Sequence, residues 1–128
     1  MLIITAPYAA IVALLYLILT IRVIAYRRAK RISLGDKDDP AMRQRIRAHA
    51  NCAEYAPIGI IMLALVELNG GAAWAVHLLG AMLLLGRIAH AAAFWRHPMN
   101  FKLRVAGMLL SMIMIALSAF WLLFAALF

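Results

Sequence analysis

Four apolar runs, each long enough to cross a bilayer, leave this 128-residue chain little choice of fold. A span needs about 20 predominantly apolar residues, because a helix rises about 1.5 Å per residue through a hydrocarbon layer about 30 Å thick. The runs predict helices at about 5–26, 42–68, 72–96 and 100–127. Hydrophobic residues make up 67% of the chain, against about 45–50% in a soluble domain. The fold class that follows is all-α, an integral membrane four-helix bundle forming one domain over residues 1–128.

Breakers and caps divide the runs. Thr5 can cap the first helix with Pro7 in its opening turn, and Tyr8 and Tyr26 sit where interfacial anchors belong. Arg22 lies one turn inside the basic exit and can snorkel outward. Asp39 followed by Pro40 reads as an N-cap and first-turn pair opening the second helix. The second helix ends at the uncharged turn Asn69-Gly70-Gly71, and His97-Pro98 stops the third. Gly80, Gly86 and Gly107 would let helices approach closely.

Charge sets the expected orientation. The chain carries 13 basic and 5 acidic residues, for a net charge of +8. Between Arg27 and Arg47 eight basic residues face three acidic ones, and the segment Arg96 to Arg104 is also basic. Basic loops stay on the cytoplasmic side, so both termini are expected outside. No separate basic face interleaved with aromatics exists to hold nucleic acid, and the basic loops suit anionic lipid headgroups. The single cysteine, Cys52, rules out an internal disulfide and a cysteine metal cluster, and reads as a packed helix residue. The N-terminus lacks a basic n-region and a cleavage site, so the first span is expected to be retained.

Polar residues inside the spans need an explanation. Arg47, Asn51, Glu54 and Tyr55 fall at i, i+4, i+7 and i+8, on one face of the second helix. Either this stripe is a polar juxtamembrane turn, or it is a site for a charged small molecule. An ionisable residue at the bilayer centre costs roughly 2.5–3.5 kcal/mol on insertion scales, so it is normally buried against a partner or a wet cavity. Arg87 lies nine residues before Arg96, with His90 and Phe94 on its face, and a Glu54–Arg87 ion pair is one structural reading. Glu67, Asn69 and His77 are expected at the outer interface. Positive charge converges on the cytoplasmic half from Arg27, Arg28 and Arg31, from Arg47, and from Arg104. Arginine forks suit carboxylates and Glu54 suits an ammonium, so a ligand with two carboxylates and an amine would match. A cation beside a thiol favours the thiolate, and Arg104 is placed for that task unless it serves only as an anchor.

RIRAHANCAEYAP at 45–57 resembles the signature of the MAPEG superfamily, the membrane-associated proteins of eicosanoid and glutathione metabolism. YRRAKR at 26–31, GRIAH at 86–90 and FKLRVAG at 101–107 extend the resemblance over nearly the whole chain, closest to the bacterial branch. It implies a homotrimer of four-helix subunits, with glutathione as co-substrate in a cleft between neighbours and an apolar electrophile or lipid hydroperoxide entering from the bilayer. The glutathione-binding positions it implies are Arg27, Arg47, His49, Asn51, Glu54, Tyr55, Arg87 and His90. Arg104 is implied as the thiolate stabiliser and Arg28 as a further catalytic residue, with no metal. His49 or His90 as general base is the alternative to a thiolate-stabilising arginine. His90 and Phe94 stand where the leukotriene C4 synthase of the family has tyrosines, which removes two hydroxyls from the implied site.

Two rivals remain from residues alone. One is a non-catalytic protein of the same fold that binds a ligand or a partner. The other is a small multidrug exporter, which relies on an acidic residue in its first span; residues 5–26 contain none.

Overall fold

In the computed structural model, which describes residues 1–127, four helices account for nearly all of the chain: α1 Thr5–Lys30, α2 Pro40–Leu68, α3 Ala73–Ala93 and α4 Phe101–Leu127. Each is long and apolar enough to cross a membrane, and the protein is an integral membrane protein with four spans. There are no strands among the described residues.

The termini of α1 differ from the sequence expectation at both ends. Thr5 is not its N-cap; the preceding Ile4 is, and no side chain of that segment caps it. The exposed N–H groups are met from another helix: Glu67 of α2 accepts from Ile4 N at 2.8 Å and from Thr5 N at 2.7 Å. A carboxylate at a helix N-terminus satisfies two orphan donors and complements the dipole at once. Glu67 is therefore a half-buried lock between α1 and α2 rather than a free interfacial residue. At the other end α1 runs four residues past 26, because Arg27, Arg28 and Lys30 are good helix formers and their charge suits a helix C-terminus. Arg31 closes it in the left-handed conformation, with Ile32 N donating to Arg27 O.

Asp39 opens α2 as expected. One carboxylate oxygen accepts from Ala41 N and Met42 N, the other from the Tyr26 hydroxyl at 2.9 Å. The helix runs through Pro57 without ending, which membrane helices tolerate where neighbours cover the freed carbonyl. It stops at Gly70, whose φ of 81° no side-chain-bearing residue adopts readily. α3 ends three residues before 96. The carbonyls freed beyond its end are taken by side chains of the two preceding helices: Arg22 Nη2 donates to Trp95 O at 2.9 Å, and Gln44 Nε2 to Arg96 O at 2.6 Å. Arg22 is thus docked on the 94–100 segment, stacked 4.0 Å over the Trp95 ring, instead of snorkelling to water. Asn100 caps α4 by accepting from Leu103 N.

α3 is the centre of the bundle: 44% of its apolar window is buried, against 11% in α1 and 17% in α4. α1 packs on α2 and α3, α4 packs on α2 and α3, and α1 and α4 do not meet among the described residues. Gly86 and Gly107 bring α3 and α4 into backbone contact; a Cβ on Gly107 would lie 2.5 Å from His90 N and 2.6 Å from Gly86 O. Gly80 instead receives the Tyr8 ring of α1. Two apolar clusters fill the bundle. One, around Cys52, Ala91 and Phe94, underlies the basic end, and one, around Leu63, Leu83 and Met114, underlies the opposite end.

Candidate functional site

The early end of α3 opens a wedge at the basic end of the bundle. Because the chain leaves the helix at Phe94 and returns only at Phe101, a space of about 360 Å³ is left between α2, α3 and α4. Pro40, Arg43, Gln44, Arg47 and Asn51 line it from α2, at the spacing of one helical face. His90 and Phe94 form its inner wall, His97, Pro98 and Met99 its rim, and Arg104 its α4 side.

Its electrostatics are one-sided. Among the described residues no carboxylate pairs with Arg47 or Arg104, and both are exposed at the cavity. Arg43 is the exception, held by Asp36 and, at 3.5 Å, by Asp38 of the α1–α2 loop. Arg43's hydrogen bond holds the Asp36 carboxyl below the usual carboxylate range. The inner wall is aromatic and buried: His90 and Phe94 are 4% and 5% exposed, with rings 5.0 Å apart. The Arg104 guanidinium lies 5.8 Å from the Phe94 ring centre. A dry aromatic wall beside two free guanidinium groups suits an anionic ligand with an apolar part.

Behind this wall sits Arg87, 2% exposed. It does not pair with Glu54, as one structural reading proposed. Nε donates to Ser111 Oγ at 2.9 Å, Nη1 to Asn51 Oδ1 at 2.9 Å, and Nη2 to Gly107 O at 3.4 Å. Tyr55 packs against it, with the ring centre 5.7 Å from the guanidinium carbon. Since α3 ends at Ala93, Arg87 lies about 9 Å from the helix end rather than deeper.

Of the residues singled out from sequence, Arg47, Asn51, His90 and Arg104 meet around one cavity. Arg104 is exposed there. The others lie elsewhere in the subunit. Glu54 is exposed on α2, away from the cavity lining. His49 faces α1, stacked on Tyr16 and hydrogen-bonded with Thr20 Oγ1 at 3.1 Å. Arg27 and Arg28 border a separate shallow cleft with Arg31, and Arg27 is tied to Gly35 O. The three expected sources of positive charge therefore reduce to two within one subunit. Sequence reasoning missed Gln44, which latches the rim by bonding Arg96 O and accepting from His97 Nδ1 at 2.8 Å. Its signal was present, since Gln44 lies one turn before Arg47 on the same stripe.

The model of the MAPEG family matches residues 5–124. The chain belongs to the MAPEG family. Two similar proteins are each called Inner membrane protein YecN, from Escherichia coli (strain K12) and Escherichia coli O6:H1 (strain CFT073). Each is 36% identical over 105 residues, covering 82% of this chain and 79% of its own length. The match embraces all four helices of this MAPEG chain, the cavity and the Arg87 network included.

Proposed function

We propose that this protein is a membrane-bound, glutathione-dependent transferase or peroxidase, acting on an apolar electrophile or lipid hydroperoxide. The observation that carries the reading is the pair Arg47 and Arg104, cationic and without a carboxylate partner among the described residues, facing one cavity at the membrane boundary. Membership of the MAPEG family supports it, and the bacterial relatives support an inner-membrane location.

In this reading Arg47 and the Asn51 amide hold a carboxylate, and Arg104 lies beside the sulfur. A guanidinium offers donors and no acceptor, so Arg104 stabilises thiolate by its charge and does not act as base. The thiol proton leaves to water through the cavity mouth. In the transfer reaction the thiolate sulfur bonds to the electrophilic carbon, and the leaving group departs with the displaced electron pair. In the peroxidase reaction the thiolate attacks the hydroperoxide oxygen and the alkoxide leaves to become an alcohol. A second glutathione then attacks the sulfenic acid, giving the disulfide and water. Assembly as a homotrimer completes the site, bringing Glu54 and the α1 arginines Arg27 and Arg28 to a cleft between subunits.

Conjugation of glutathione to chlorodinitrobenzene tests the chemistry. Arg104→Ala should lower kcat/KM by about a hundredfold, the scale of losing one charge-stabilising donor, while glutathione affinity changes much less. A second reading, a non-catalytic ligand-binding member of the family, is favoured by the exposure of Arg104, where water screens its charge. Glutathione binding without any turnover by the wild-type protein would establish that reading instead.

A further inference from the structure

We infer that Arg87 is a positioning residue for Asn51, fixing the orientation of its amide so that the cavity wall reads carboxylate rather than ammonium. The inference rests on the reading above, that the cavity receives a carboxylated thiol.

A charge this far inside a span is costly, yet every partner of Arg87 is neutral. Packing alone does not ask for a guanidinium there. What a guanidinium does is donate only, with no acceptor of its own. The group facing it must therefore be the Asn51 oxygen, and Nη1 holds that oxygen at 2.9 Å. Two further bonds, to Ser111 Oγ and Gly107 O of α4, keep the guanidinium plane from turning. Ser111 in turn donates to Gly107 O at 3.1 Å, where the Gly86 and Gly107 backbones leave no room to shift.

The consequence falls on the other end of the amide. Asn51 Nδ2 carries two hydrogens. One points to Met108 Sδ at 3.7 Å, a weak acceptor, and Asn51 also lines the cavity. Its acceptor is spent on Arg87, so it offers the cavity a donor only. Arg47 and Arg104 offer donors as well, while the Gln44 amide is spent on the 94–97 segment. The polar side chains that α2 and α4 leave free on this wall, Arg47, Asn51 and Arg104, thus present donors, which suit a carboxylate. In a guanidinium-free variant the amide is free to flip and present its oxygen, which repels a carboxylate.

A double-mutant cycle on the detergent-solubilised full chain tests this, with Arg87→Met, which removes every donor at that position, Asn51→Ala and the pair. Affinity is measured by calorimetry for glutathione and for its diethyl ester. The wild type should prefer glutathione over the ester by about tenfold or more, and each single variant should lose most of that preference. The double variant should bind no worse than Asn51→Ala alone, since Arg87 acts through Asn51. Additive losses, or an unchanged ester preference in Arg87→Met, would overturn the inference and leave the glutathione reading standing. No wild-type binding would remove both. Should Arg87→Met fail to fold, Asn51→Asp decides: it keeps a partner for Arg87 and removes the donor. It should hold its melting temperature and lose glutathione affinity, and wild-type affinity in it would overturn the inference.

Discussion

At the scale of single residues, the basic end divides labour among its arginines by what each already holds. Arg87 is fully engaged inside the bundle, Arg43 is engaged by the loop carboxylates, and Arg22 is engaged by the Trp95 carbonyl. Arg47 and Arg104 face the cavity with no carboxylate partner among the described residues. Arg47→Ala should weaken glutathione binding by about tenfold, the worth of one charge-assisted contact, and should leave the melting temperature unchanged; calorimetry and a thermal melt read the two. Arg43→Ala should do the reverse, loosening the loop with little effect on affinity. Asp39 shows the same logic outside the membrane. Its carboxyl is held below the usual range by the Met42 N–H and then by the Tyr26 hydroxyl. A depressed carboxylate adds stability that is complete above its unfolded value near about pH 4 and is lost as pH falls through the lower folded value. The gap in melting temperature between wild type and Asp39→Ala should therefore be present at pH 7 and shrink on acidification below about pH 4.

At the scale of helices, the α3–α4 contact carries the site. A Cβ at Gly107 would meet backbone atoms of His90 and Gly86, which have nowhere to go, so Gly107→Ala should cost about 1–3 kcal/mol. Gly59→Ala meets only the methyl end of Leu83, which can turn away, and should cost less than about 1 kcal/mol. Chemical or thermal denaturation in one detergent compares them. The existence of all four helices was legible from apolar run length, and the α2 start from Asp39-Pro40. The α2 end and the starts of α3 and α4 were legible to within a residue, whereas the cap of α1 and the end of α3 were not, because their partners come from distant elements. Glu67 caps α1 from 62 residues away, and Gln44 and Arg22 collect the carbonyls beyond α3. No local pattern announces a cap supplied across the bundle. The Glu54–Arg87 pairing failed for a related reason: opposite charges at similar depth suggest a pair, but helix rotation decides, and it turns Asn51 rather than Glu54 toward Arg87.

At the scale of the whole molecule, the folded chain gathers four of the ten site residues read from sequence around one cavity. Arg47, Asn51, His90 and Arg104 share a cavity, whereas Arg27, Arg28 and Glu54 lie on other faces. The stripe on α2 was legible because helical spacing places its members on one side. The assignment of Arg27 and Arg28 was carried by resemblance, not by anything in the subunit's own geometry. A trimer would unite the separated residues, and native mass spectrometry from detergent should then show three chains per particle. The measurement that bears hardest on a thiol site at this membrane boundary is calorimetric titration of the solubilised protein with glutathione. Saturable binding at or below millimolar concentration, weakened by Arg47→Ala, is the expected result. No heat of binding at millimolar glutathione would contradict it and leave only the fold.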